Sequence, residues 1–383
     1  MRFLHTSDWH LGRTLHGVDL IDAQRAVLDQ VCQIAVTEAV DAVLISGDVY
    51  DRAVPPVEAV SLFEDVLATL ARVTTVIVTG GNHDSAIRLG FGSSLFTDRV
   101  HVRTSLDSIA EPVMVGDVAV YPLPYLDPDA ARSALAGGPE PLPRSHQAVM
   151  SAAMDLVRAD LAARPGATRS IVMAHAFVVG GAVSDSERSI VVGGVDSVAA
   201  DTFAGLDYAA LGHLHGPQQP QTSSDTILRY SGSPLRYSFS ERTHTKSVTV
   251  LDLDADGVRA RAVALTQPRE MTELTGELAE LLAGTAHEQE WVRITITDRS
   301  RPERMFDRIK ARYPFVLQVF HVPAALATEA GTVRAATQHH TRAVRELGAD
   351  FIRYVTGVEP LEAELDLFDG AFETATAQLA AAE

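Results

Sequence analysis

Short runs of apolar, largely β-branched residues recur through the first two thirds of the chain. Between them lie longer stretches in which apolar positions return every three or four residues. The first pattern predicts strands at 3–6, 42–46, 75–79, 118–122, 171–174 and 208–211, and the second predicts helices over 22–38, 57–72 and 146–163. Alternation of the two is the mark of a layered α/β domain. From 226 to 265 the pattern changes to consecutive strands, 227–231, 247–253 and 258–265, the last two joined at a tight Asp256-Gly257 turn. The expected core is therefore a two-sheet β-sandwich flanked by helices. After Gln267-Pro268 a smaller α+β unit begins, with a strand at 291–297, a helix at 303–312 and a strand at 316–322, a βαβ-like module. Beyond Pro323 only helical patterns remain, at 332–354 and 359–379. The expected domains are 1–268, 269–325 and a helical tail at 326–383.

Composition agrees with a globular protein: 46% hydrophobic and 21% charged over 383 residues, long enough for two or three units. The single cysteine, Cys32, falls in a helical pattern, so no intrachain disulfide is available and a reducing compartment fits. Neither a signal-peptide pattern nor an apolar run of about 20 residues is present, so a cytoplasmic location away from membranes is expected. The net charge of −18 counts against a polyanionic partner unless basic residues cluster locally. They do so between 291 and 313, where seven basic residues face three acids. An ordinary solvated helix with ion pairs is the other reading of that stretch. From Glu346 onward nine acids accompany one base, Arg353.

Residue types that bind metals concentrate at the ends of predicted strands, in Asp8-Trp9-His10, Gly47-Asp48, Gly81-Asn82-His83-Asp84 and Gly212-His213-Leu214-His215. Loop tips on a rigid sheet are where sites are built. Read as extended backbone, residues i and i+2 share a face, so Asp8 and His10 aim at one ion and His213 and His215 at one cluster. His175 follows the strand at 171–174 and arrives at the same edge. Singly, each residue has an ordinary reading as a hydrogen-bonded loop histidine or a Gly-Asp turn. Their ordered series after successive apolar strands favours a metal site. Seven candidate ligands, Asp8, His10, Asp48, Asn82, His175, His213 and His215, give each of two ions four protein contacts if Asp48 is shared. Oxygen and imidazole donors without cysteine suit Mn2+, with Mg2+, iron or zinc as alternatives. Two such ions about 4 Å apart activate water for attack on a phosphoester, and no protein nucleophile is required. His83 is expected to protonate the leaving oxygen or stabilise its charge, with Asp84 holding its imidazole. A simple hydrogen bond within the turn is the alternative for His83.

The order of these motifs resembles that of the calcineurin-like metallophosphoesterases, over essentially the whole chain. The longer segments Thr6-Ser7-Asp8-Trp9-His10-Leu11-Gly12, Gly47-Asp48-Val49-Tyr50-Asp51-Arg52, Gly212-His213-Leu214-His215-Gly216-Pro217-Gln218 and Tyr230-Ser231-Gly232-Ser233-Pro234-Leu235 resemble the SbcD branch, related to Mre-type DNA-repair nucleases. The resemblance implies one ion on Asp8, His10, Asp48 and His215 and a second on Asp48, Asn82, His175 and His213, with manganese as the metal. It implies a DNA nuclease of repair, recombination and replication: a three-prime to five-prime exonuclease on duplex ends and an endonuclease on single strands and hairpins. An SbcC-type coiled-coil ATPase that consumes ATP would be its partner in a heterotetramer, and this chain would itself form a homodimer, for which the helices at 22–38 and 57–72 are the places to look.

By the same resemblance, the module at 269–325 is a cap that tracks DNA through Arg293, Arg304 and Arg308. Further candidate contacts are Arg13, Arg52, Arg88, Arg236 and Arg242, in loops after the motifs. Gly-Asp-x-x-Asp-Arg also occurs in protein phosphatases of the superfamily, where the arginine holds phosphate. Here the continuation Ala53-Val54-Pro55-Pro56 departs from that pattern, and Arg52 paired with Asp51 is the other reading. The tail is implied to dock on the partner through Leu361, Leu365, Leu367, Phe368 and Phe372, against the alternative of packing on its own core. Two rival functions remain. A stand-alone metallophosphatase or cyclic-nucleotide phosphodiesterase would not need the module and tail, and a non-catalytic DNA-end-binding scaffold would not need a complete ligand set.

Overall fold

The computed structural model describes residues 1–96, 98–164, 169–188, 197–323, 348–349, 352–353, 360–368 and 370. In chain order its principal strands are β1 (Arg2–Thr6), β2 (Ala42–Ser46), β3 (Thr75–Thr79), β4 (Val100–Arg103), β5 (Val113–Val115), β6 (Val118–Pro122), β7 (Arg169–His175), β8 (Tyr208–Gly212), β9 (Ile227–Tyr230), β10 (Ser247–Asp254) and β11 (Gly257–Ala264). Three helices flank them: α1 (Ile21–Thr37), α2 (Val57–Ala71) and α3 (His146–Ala163).

One six-stranded sheet has the order β11-β10-β1-β2-β3-β4 and a second, five-stranded sheet the order β9-β8-β7-β6-β5. Strands β1 to β4 run parallel, as do β6 to β9, and antiparallel partners close the edges at β10, β11 and β5. A strand covered on both faces needs apolar side chains at every position, which is why Ala42–Ser46 and Thr75–Thr79 read as continuous apolar runs. Alternate residues serve different layers. Phe3, Ala42, Leu44 and Ile77 meet Val118, Val120, Ile171, Met173, Tyr208 and Ala210 of the other sheet. Their neighbours Leu4, Val43, Ile45, Val76 and Val78 pack under α1 and α2 with Leu28, Val31, Leu62 and Leu70. The far face of the second sheet, with Val172, Ala174, Ala209 and Leu211, is covered by Val149, Ala153, Met154 and Val157 of α3. Ser145 caps that helix by accepting from Ala148 N at 3.2 Å. The two-sheet α/β sandwich is the expected architecture.

Two strands, β4 and β5, escaped the sequence pattern because each is only three or four residues long. The small module also differs from its expected form. A third strand, β12 (Met271–Gly276), precedes β13 (Trp291–Ile296) and β14 (Val316–His321) in a sheet of order β12-β13-β14, with α4 (Met305–Arg312) between the last two strands. Its largely polar sequence, with large apolar side chains only at Met271 and Leu274, hid it. By contacts the chain divides into two compact units, one of 1–274, 282–294 and 306–319 and one of 275–281, 295–305 and 320–383, so each of these three strands passes from the first unit into the second. Most of the helical tail, including Phe372, lies outside the described residues. Within them, 362–368 is helical, and Leu361 and Leu367 are exposed. No helix among the described residues is long and apolar enough to cross a membrane.

Candidate metal centre

The parallel strands β1, β2, β3, β7 and β8 all end at one edge of the sandwich, and the candidate ligands follow those ends. A ligand site at the carboxyl ends of parallel strands is the general rule for such sheets. The loops do not continue as extended backbone, however. Asp8 (φ 56°), His10 (φ 44°), Asp48 (φ 49°) and His213 (φ 108°) all have positive φ, which side chains other than glycine rarely adopt. The expected i, i+2 alternation is therefore corrected: left-handed kinks, not a strand's pleat, aim these side chains inward. Such strain costs of order 1–3 kcal/mol per residue and persists only where surroundings enforce it. Here they do so through Asp8 N to Gly47 O (3.1 Å), His10 N to Asp48 O (3.0 Å), His83 N to Asp48 Oδ1 (2.9 Å) and His213 N to Asp8 Oδ1 (2.9 Å). The glycines before two of the motifs serve close approach. A Cβ on Gly81 would collide with Asp48, and one on Gly212 with the Ser46 carbonyl.

All seven candidate ligands converge. Among the described residues Asp8, His10 and His215 form one buried cluster, Asp8, Asp48 and His175 another, and His10, Asp48 and His83 a third. Asp48 Oδ2 lies 3.5 Å from His10 Nε2 and 3.3 Å from His175 Nε2, placing this carboxylate between the two groups. On the second side Asn82 Oδ1 is 3.0 Å from His175 Nε2 and 3.2 Å from His213 Nδ1.

The ring protons show what the site is built to hold. His175 Nδ1 faces the Ser46 carbonyl at 3.1 Å, and a carbonyl only accepts, so Nδ1 carries a proton and Nε2 is the nitrogen turned toward Asp48 and Asn82. His10 Nδ1 lies 3.5 Å from Asp51 Oδ1, and its Nε2 is turned toward the cluster. His10 Nε2 in turn lies 3.0 Å from His215 Nε2. Two ring nitrogens that approach this closely share either a proton or a cation. Burial pushes His10 and His213 down to about 3, so both are neutral ligands at ordinary pH. Burial alone would lower His175 too, but the Asp48 carboxylate beside it lifts it to about 9. Asp48 is held well below the usual carboxylate range: burial opposes this, and His175 overcomes it. That pair shares a proton where a divalent cation would take the proton's place. Burial raises Asp8 to about 6, the cost of a carboxylate that lacks its counter-ion. The donor set, with its inward-turned ring nitrogens and buried carboxylates, fits a pair of divalent cations.

His83 is buried beside this cluster, its ring edge-on to His10 at 4.7 Å and its Nε2 3.9 Å from Asp48 Oδ2. Asp84 does not hold it. Instead His83 Nδ1 donates to the Asp51 carbonyl at 2.7 Å, while the Asp84 carboxylate accepts from the backbone of Val49 (3.0 Å), Tyr50 (2.9 Å) and Gly81 (2.9 Å). Three convergent N–H donors suit a loop brace better than an orienting partner. Burial and the Asp48 charge nonetheless raise Asp84 to about 7.

The arginines divide. Arg236 is buried, bound to Glu270 and to the His244 carbonyl at 3.1 Å, so it is a structural tie rather than a surface contact. Arg293 is engaged with Glu273 (2.9 Å) and Gln318 (2.8 Å) and lies over the Phe239 ring, and Arg242 pairs with Glu273 at 3.1 Å. Arg13 donates to the Ser186 carbonyl at 2.8 Å and sits 3.4 Å from Asp51. Arg52, Arg88, Arg304 and Arg308 are exposed.

Sequence reasoning missed the residues behind the ligands. Gln24 donates to the carbonyls of His10 (2.7 Å) and Trp9 (3.3 Å), and Ser186, Glu241 and Lys246 stand behind His215. The one available signal was Lys246, which opens a buried strand in a chain with a single other lysine, Lys310.

Comparison with known proteins agrees with this geometry. The calcineurin-like phosphoesterase family matches residues 1–217, and the family described as type 5 capsule protein repressor C-terminal domain matches 267–355. A Staphylococcus epidermidis protein named as a subunit of the SbcCD nuclease is 29% identical over 329 residues, 84% of this chain and 86% of that protein. A dimetal phosphatase from Danio rerio overlaps loosely, at 11% identity and a TM-score of 0.42 over 70% of this chain and 99% of that one. With the first match spanning more than half its length and a candidate metal-binding cluster at its sheet edge, the chain belongs to the calcineurin-like phosphoesterases.

Proposed function

We propose that this chain is a dimetal DNA nuclease that works with a coiled-coil ATPase partner. The observation that carries the reading is the convergence of Asp8, His10, Asp48, Asn82, His175, His213 and His215 with ring nitrogens turned toward a common centre. The relative named as a nuclease subunit supports DNA as the substrate, because its alignment runs past the catalytic region into the small module. In this reading Asp8, His10, Asp48 and His215 hold one ion, and Asp48, Asn82, His175 and His213 the other. Manganese is the proposed metal. The chemistry supplied by a bound ion pair is activation of water and neutralisation of phosphate charge.

The protein's own contribution is placement and proton transfer. His83, with its Nδ1 proton fixed on the Asp51 carbonyl, presents Nε2 toward the Asp48 side of the site, where it can deliver a proton to the leaving oxygen. Residues 1–268 are proposed as the catalytic domain, 269–325 as the DNA-facing cap and 326–383 as the arm that binds the ATPase through Leu361, Leu365, Leu367 and Phe368. The proposed activities are exonuclease action from the three-prime side of duplex ends and endonuclease action on single strands and hairpins, by a homodimer within a heterotetramer.

The test is Mn2+-dependent degradation of end-labelled duplex and hairpin DNA by the purified chain, with and without the ATPase, beside Asp48→Ala and a phosphomonoester. Cleavage of DNA that falls to background in the variant is the expected result. Turnover of the monoester alone would replace the nuclease reading with a phosphatase one.

A further inference from the structure

His215 differs from the other candidate ligands in what stands behind it. Its Nδ1 is 2.6 Å from Ser186 Oγ, and Ser186 Oγ in turn bonds Glu241 Oε1. Glu241 Oε2 meets Lys246 Nζ at 2.5 Å, and the same ammonium donates to the His215 carbonyl and to Ser233 Oγ, each at 2.8 Å. The backbone N–H of His215 donates to Glu187 Oε1 at 2.8 Å. Ser186, Glu241 and Lys246 are all buried, and the Glu241 and Lys246 side chains have no exposed surface.

Proton accounting along these contacts starts from the ion pair, with Ser184, 3.0 Å from Ser186 Oγ, giving its own proton to Glu187 Oε2 at 2.8 Å. Lys246 is an ammonium with donors only, and the carboxylate of Glu241 accepts from it. A serine hydroxyl has one proton, and it goes to Glu241, so the Ser186 oxygen is left to accept. The donor it accepts from is Nδ1–H of His215, which in the neutral ring leaves Nε2 bare and pointed at His10 Nε2, 3.0 Å away. Both the tautomer and the position of the His215 ring are thereby set from a pair of charges that never reach solvent. A buried ion pair is an expensive way to stabilise a fold, since desolvation offsets most of its attraction. A ligand-orienting role gives it a different purpose.

We infer that Ser186, Glu241 and Lys246 form a positioning relay that holds His215 with Nε2 ready for the ion it shares with Asp8 and His10. Ser186 lies some thirty residues before His215, and Glu241 and Lys246 follow it by a similar distance. Three separate chain segments therefore meet at one ring nitrogen. Outer partners of metal-bound histidines commonly change metal affinity by about 10–100-fold when removed.

The inference rests on the metal reading of the cluster, and calorimetric titration of the metal-free full-length chain with Mn2+ separates the two. Failure of the unaltered chain to bind two ions would overturn the metal reading itself. If it binds two, Ser186→Ala is expected to weaken one ion by about 10–100-fold and leave the other unchanged, with the melting midpoint in chelator unaltered and Ser186→Thr restoring part of the loss. Equal weakening of both ions together with a lower midpoint, or no weakening at all, would overturn the relay. A second measurement needs no variant. The histidine side-chain 15N spectrum of the metal-free chain should show His215 protonated at Nδ1 and bare at Nε2, and the opposite tautomer would overturn it.

Discussion

The candidate metal centre and the arginines named as DNA contacts make an instructive pair, because both rest on residue type and on place in the chain, after a motif or, for Arg293, Arg304 and Arg308, in the basic stretch of the small module. The histidines and carboxylates all arrive at one place. Of the arginines put forward as DNA contacts, Arg13, Arg236, Arg242 and Arg293 turn out to be bound to the protein itself. The difference lies in what each residue demands of its surroundings. A carboxylate or imidazole facing the interior is costly to bury without a partner, so convergence of several is strong evidence for a shared cation. An arginine satisfies itself with any nearby carboxylate or carbonyl, and the excess of acids in this chain offers many. Position in a motif loop therefore identifies a ligand far better than it identifies a phosphate contact.

The largest effect that tests this contrast is at His83, which sits in the cluster yet is not needed as a ligand. His83→Ala should reduce DNA cleavage by about 100-fold or more while both ions still bind. Loss of an ion in that variant would make His83 a ligand and remove the proposed acid. A smaller effect separates the arginines. Arg52→Ala and Arg88→Ala, which alter exposed side chains without an ion pair among the described residues, should each lower the slope of log affinity for DNA against log salt by about 1. Arg236→Ala should leave that slope alone and lower the melting midpoint, because Glu270 loses its partner. An equal change of slope in all three would mean that burial does not sort these residues, and the contrast would fail.

Much of this was legible in advance for a physical reason. Strands such as Ala42–Ser46 are covered on both faces, so nearly every residue reports burial, whereas β12 has large apolar residues only at Met271 and Leu274 and β5 is three residues long. The ligands were legible because each follows such a strand within a few residues. Their kinked backbone was not, since positive φ at Asp8, His10 and Asp48 is enforced by hydrogen bonds between loops distant in sequence. Ser186, Glu241 and Lys246 stayed hidden for the same reason: nothing local marks a serine or a glutamate as the partner of a histidine tens of residues away. Asp84 shows the converse error. Adjacency to His83 suggested a partnership, but three backbone donors claim its carboxylate first.

The smallest expected effect concerns a histidine that is buried without being a candidate ligand. His5 lies on β1, three residues before Asp8, with Nδ1 3.1 Å from the Tyr208 hydroxyl and no exposed surface. Burial, aided by the charge of Arg229, pushes it down from 6.5 to about 3. Between those values the unfolded chain binds a proton that the folded chain does not. Stability from this group is therefore fully present above 6.5 and falls as the pH drops through the window, by about 1.4 kcal/mol per pH unit. Denaturant melts of the metal-free chain at pH 6 and pH 5 should show a loss that is smaller in His5→Phe by about that amount, with Mn2+ affinity at pH 7 unchanged. A variant that keeps the full acid slope, or one that loses an ion at pH 7, would erase the distinction between histidines buried for packing and histidines buried for a metal.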